Sequence, residues 1–121
     1  MRHLQLSFFV LLFSIAVTAR TEAHSFLDHA SPAVGSKVHG SPVEVKVWFT
    51  EKLEAAFSKL QVFNEAGQQV DNRKQWLNPA KAALLIVSVP PLKPGTYTVV
   101  WRVVSVDTHA TQGSFKFEVI P

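Results

Sequence analysis

The sequence predicts a two-sheet antiparallel β-sandwich of about seven strands, held in a single domain. Three observations carry that expectation. Apolar residues alternate with polar ones at period two in several separate stretches. Turn signals fall between them at short intervals: Ser31-Pro32, Gly35-Ser36, Gly40-Ser41-Pro42, Ala66-Gly67, Asn78-Pro79, Pro90-Pro91 and Pro94-Gly95. The chain has 121 residues, of which 47% are hydrophobic, which suits one core and is too apolar for a disordered tail.

In chain order, residues 1–23 read as a secretory signal peptide. Arg2 supplies the positive start, and Leu4 to Val17 form an apolar stretch too short for a comfortable membrane span. Two cuts satisfy the small-x-small rule, one after Ala19 and one after Ala23, and spacing alone permits both. The first would leave Arg20 at the mature end, the second His24. No second apolar stretch of spanning length follows, so an exported chain without membrane insertion is expected.

Cutting 23 residues from 121 leaves a mature domain of 98, residues 24–121. Its first strand signal places Val43, Val45, Val47 and Phe49 on one face, with Glu44, Lys46, Trp48 and Thr50 on the other. Glu51 to Lys59 has a weak helical look and reads as a loop with one turn of helix. Leu60 and Val62 open the next strand, and Leu84 and Ile86 alternate with Leu85 and Val87. Tyr97, Val99, Trp101 and Val103 alternate with Thr96, Thr98, Val100 and Arg102. Phe115, Phe117 and Val119 close the series against Ser114, Lys116 and Glu118. The aromatic residues at this period, Trp101 among them, are expected in the core.

Charge excludes one class of function. Without Arg2, Arg20 and Glu22, ten basic residues face eight acidic ones with no run of either sign, so no nucleic-acid partner is expected. Sulfur usage narrows the chemistry further. There is no Cys, and the only Met is Met1, so any metal site in the mature domain must use nitrogen and oxygen.

Four histidines follow the leader: His24, His29, His39 and His109. His39 reads as a solvated turn residue. Asp107-Thr108-His109 follows the long strand that begins at Tyr97; in an extended segment positions i and i+2 share a face, which would aim a carboxylate and an imidazole at one point. The same pair also suits an ordinary turn. His24, if it is the first mature residue, carries a free α-amine beside its own imidazole. Such an amine titrates at about 7.7, so a metal displaces its proton at modest cost near neutral pH. Amine, two imidazoles and a carboxylate make a tetragonal N,O donor set, the kind that favours Cu(II). His29, with Asp28 beside it, lies five positions from His24; in a strand that spacing points to the opposite face, so His29 is expected on the surface.

These residues resemble the CopC-type periplasmic copper-binding protein family. The likeness runs from Ala23-His24 through Ser31-Pro32-Ala33, Gly35-Ser36 and Val47-Trp48-Phe49-Thr50-Glu51. It continues through Leu92 to Tyr97, the stretch Val100 to His109, and Gly113-Ser114-Phe115. The resemblance implies an immunoglobulin-like Greek-key sandwich and cleavage between Ala23 and His24. It implies one Cu(II) per chain, held by His24, Asp107 and His109, with Glu51 at an acidic family position beside the metal in a supporting or weak axial role. Some members carry a Met-rich loop that binds Cu(I); the matching region here, about Asn64 to Pro79, has no Met, so no Cu(I) site is expected.

The expected role is that of a periplasmic copper carrier or buffer acting as a monomer, with an inner-membrane copper transporter (CopD-like) as the partner the family implies. No enzymatic activity is expected. A histidine-brace copper oxygenase would need an open coordination position and a broad substrate face, which a domain of this size does not suggest. A metal-independent immunoglobulin-like interaction domain of the cell envelope is the other alternative.

Overall fold

The computed structural model describes residues 26–121, and within them the chain forms eight strands. They are β1 (Leu27–Ser31), β2 (Lys37–His39), β3 (Glu44–Phe49), β4 (Lys59–Phe63), β5 (Gln75–Asn78), β6 (Lys81–Ser88), β7 (Gly95–Val104) and β8 (Ala110–Ile120). Two four-stranded sheets result, ordered β1-β3-β6-β5 and β2-β8-β7-β4. Only β5–β6 and β7–β8 are sequential neighbours within a sheet; every other connection crosses to the facing sheet. This is the immunoglobulin-like Greek-key sandwich. All pairings are antiparallel except β2 with β8, which is parallel.

Period-two patterning decides what the two sheets bury. Val45, Val47 and Phe49 of β3 face Leu60 and Val62 of β4, Tyr97, Val99, Trp101 and Val103 of β7, and Phe115, Phe117 and Val119 of β8 across one core. Arg102, Ser114 and Lys116 point out, as the alternation requires. The stretch after β3 holds one short 3-10 turn, Ala55–Phe57, at the place where the sequence hinted at helix.

Four expectations need correction. Val43 is 77% exposed: it precedes β3, which begins at Glu44, and although its carbonyl accepts the Val89 N–H at 3.0 Å, its side chain stays outside the core. Leu84 and Ile86 are not the exposed half of an alternating strand: all of Leu84, Leu85, Ile86 and Val87 are buried. Strand β6 is central in its sheet, and its outer face is screened by Trp48 and Trp76 from the register-paired neighbours. His39 is not in a turn but ends β2, opposite Ile120; it stays exposed, with Nδ1 3.1 Å from the Pro121 carbonyl oxygen. Asp107-Thr108-His109 is not extended, because Thr108 takes a left-handed conformation at φ +71. The expected leader at 1–23, its cleavage point and His24 all lie outside the described residues.

Candidate metal centre

The site forms at one end of the sandwich, where β3, β7 and β8 end or begin. The segment that leaves β3 stitches the two sheets together there. The Thr50 N–H donates at 3.0 Å to the carbonyl of Phe26, just ahead of β1, and the Leu53 N–H donates at 3.0 Å to Ala82 O of β6, both ties to the first sheet. The Glu54 N–H donates to Val104 O at 2.8 Å, and the Val106 N–H to Lys52 O at 2.9 Å, both ties to the second. Leu53, only 3% exposed, plugs the core between them. Glu51 therefore sits on a segment fixed on both sides, with its side chain exposed at the surface.

Asp107 and His109 lie in the hairpin loop between β7 and β8. Thr108 adopts φ +71, a left-handed conformation that bends the loop back on itself. A turn thus stands where the spacing predicts an extended D-x-H segment. The two side chains nevertheless converge, because the turn brings them together: His109 Nδ1 lies 3.3 Å from Asp107 Oδ2. Ser105 closes the loop. Its N–H donates to the His109 carbonyl at 2.9 Å, its own carbonyl accepts from the Thr108 N–H at 2.9 Å, and its hydroxyl donates to Asp107 Oδ1.

Glu51, Asp107 and His109 each place one donor atom within 4.8 Å of the others. Among the described residues this is the one cluster of three or more such groups. All three are exposed, so an ion could enter from solvent without rearrangement of the core. The Ser105 hydroxyl holds the Asp107 carboxyl below its ordinary value; desolvation opposes this, while Glu51 and the His109 imidazole add to the lowering. Asp107 is therefore an anion, and a ready donor, well below neutral pH.

The other singled-out residues fall elsewhere. His29 is exposed on β1, stacked on Trp48 at 4.3 Å between centroids and 10° between planes, with Nδ1 2.7 Å from Asp28 Oδ2. It does not join the cluster. A bulge between Leu27 and His29 breaks the strict alternation on which its facing was argued, although its surface placement stands. Trp101 is 1% exposed in the core, edge-on to Phe49 at 5.3 Å; Phe49 in turn meets Phe26 at 5.7 Å. Sequence reasoning passed over Ser105. Its two-residue spacing from Asp107 was visible, but its burial, at 0% exposure, depends on the bridge it forms with Leu53 from a distant segment.

Comparison with known proteins places the chain in a family. A model of the CopC domain matches residues 27–120. Protein YobA of Escherichia coli (strain K12) is 36% identical over 110 residues, covering 90% of this chain and 89% of that protein. The crystal structure of CopC from Methylosinus trichosporium OB3b superposes with a TM-score of 0.75 at 35% identity, covering 81% of this chain and 95% of that one. PcoC, a methionine-rich copper resistance protein from Escherichia coli, superposes at 0.69 with 30% identity, covering 81% of this chain and 100% of that one.

Proposed function

The chain belongs to the CopC domain family, and from that premise we propose that it is an exported copper carrier or buffer of the periplasm that binds one Cu(II) ion as a monomer. The ligands in this reading are His24, through its α-amine and imidazole, with Asp107 and His109; Glu51 supports them from beside the ion. Residues 1–23 are the leader, cut between Ala23 and His24, and 24–121 are the binding domain.

The observation that carries the reading is the convergence of Glu51, Asp107 and His109 at the sandwich end where Phe26 is anchored. Phe26 is tied to Thr50, the residue before Glu51, by two hydrogen bonds of 3.0 and 3.3 Å. Two residues of chain span at most about 7 Å. A mature terminus at His24 is thus within reach of the cluster, and one further histidine completes an N,O donor set suited to Cu(II). Sulfur chemistry is outside the set: PcoC is methionine-rich, whereas residues 24–121 contain neither Met nor Cys. An oxidised ion held at an exposed rim suits onward transfer, and an inner-membrane copper transporter is the acceptor we propose.

The test begins with intact mass of the exported protein, expected to start at His24. One extra residue placed before His24 converts the amine into an amide and should collapse Cu(II) affinity. Unchanged affinity in that variant, or export of a form starting at Arg20, would overturn the assignment.

A further inference from the structure

We propose that Ser105 is the positioning residue of this centre, holding Asp107 as a one-oxygen donor and aiming it, with His109, at the ion. The proposal rests on the Cu(II) reading above and names a residue which that reading does not use.

Ser105 is fully buried although polar, at 0% exposure. A hydroxyl has one proton to donate and two lone pairs to accept with. The proton goes to Asp107 Oδ1. The His109 carbonyl lies 3.4 Å from the same oxygen, but it already takes the Ser105 backbone N–H at 2.9 Å and does not need the hydroxyl. A lone pair accepts the His109 backbone N–H at 3.2 Å. One side chain therefore binds both ends of the D-x-H turn.

The consequence is an asymmetric carboxylate. Oδ1 is engaged from the protein side, leaving Oδ2 as the oxygen that faces the His109 ring at 3.3 Å. Bidentate ligation would have the ion share Oδ1 with the Ser105 hydroxyl, whereas Oδ2 takes no hydrogen bond from Ser105. Ser105 itself cannot drift, because it bridges Leu53 on the inter-sheet segment that also carries Glu51. The serine thus links the three donors to one rigid point of the core, which suits a site formed at the surface by a loop and a chain terminus.

A double-mutant cycle on the mature protein, read as Cu(II) dissociation constants by chelator competition, tests this. Ser105→Ala should weaken binding about 10- to 100-fold, the range for loss of a partner that orients a ligand. In a Asp107→Ala background the same change should cost far less, because the carboxylate it positions is gone. The electron paramagnetic resonance spectrum of Ser105→Ala should also differ from that of the parent, and Ser105→Thr, which keeps the hydroxyl, should restore both readouts. An equal loss of affinity in both backgrounds means that Ser105 only holds the loop, and overturns the proposal. Ser105→Gly makes the same deletion should the alanine variant not fold. If neither Asp107→Ala nor His109→Ala weakens binding, the copper site itself is misplaced, a failure distinct from that of Ser105.

Discussion

Single side chains govern this molecule in two opposite ways, through an atom that is missing and through a charge that is held. Gly113 stands opposite Trp101 in the β7–β8 ladder, and a Cβ there would lie 2.5 Å from Trp101 Cζ2. The indole occupies the space that a side chain would take. Gly113→Ala should therefore cost roughly 1–3 kcal/mol, the usual price of overpacking a filled core. The check is the urea midpoint of the metal-free protein; a midpoint within error of the parent would show that the ring can step aside. Asp107 illustrates the other case. Its carboxyl is lowered chiefly by the Ser105 hydroxyl, so the stability it contributes is complete above the unfolded value, about 3.9, and is lost as pH falls through the lower folded value. The gap in stability between the parent and Asp107→Asn, measured by urea at a series of pH values without metal, should not shrink from pH 7 to about 5 and should close only below about 4. In the proposed site, release of Cu(II) on acidification to about pH 5 would then be the work of protons competing for imidazole and amine nitrogens. Closure of that gap between pH 7 and 5 would contradict the assignment.

Among the elements, the stretch from Thr50 to Glu54 couples the sandwich to the site. Leu53 fills the core and bridges Ser105, whereas Leu60, 1% exposed, fills the core from β4 and is not part of that stitch. Truncating either to alanine should cost about 2–5 kcal/mol. Leu53→Ala should in addition weaken Cu(II) binding by the folded protein, and Leu60→Ala should not; equal affinities for the two variants would show that the segment positions nothing. The same contrast explains what could be read from the sequence. Strands β3, β4, β7 and β8 were legible because one face is apolar and the other polar, and their buried residues follow the pattern almost without exception. Strands β1, β2 and β5 gave no such signal. The segment Leu27-Asp28-His29-Ala30-Ser31 buries only Ala30 well and contains a bulge, and Lys37–His39 is three residues long with its outer residues exposed. Both form because a partner strand with free edge groups is already present, which is a tertiary cause and leaves no local period. At the candidate site, Asp107 and His109 stand out by their spacing and Glu51 by the family resemblance, and the fold brings the three together, but the turn that does so for the first two left no mark in the sequence. Thr108 gives no sequence cue for a left-handed backbone, as Gly or Asn would.

For the molecule as a whole, the question is whether metal and fold are energetically linked. The core is complete without an ion: both sheets close on one another, no disulfide is available, and the donor cluster lies outside the buried set. A domain of this kind should fold without metal and gain stability from it by mass action alone. With Cu(II) at 100 times its dissociation constant the gain is about 2.7 kcal/mol. For a domain of about 100 residues each kcal/mol moves the melting temperature by roughly 4–8 °C, so a rise on the order of 10–20 °C is expected. The size of the rise should track Cu(II) concentration logarithmically and be smaller for Zn(II), which follows Cu(II) in the divalent affinity order. It should also vanish in the variant with one residue added before His24, although that variant's metal-free melting temperature should match the parent's, because the addition touches no core contact. A metal-independent interaction domain predicts instead the same melting curve with and without copper. Differential scanning calorimetry of parent and extended protein, each at three copper concentrations, separates the two: flat curves for the parent refute the carrier, and an equal rise in both proteins keeps copper binding but removes the terminal amine from the site.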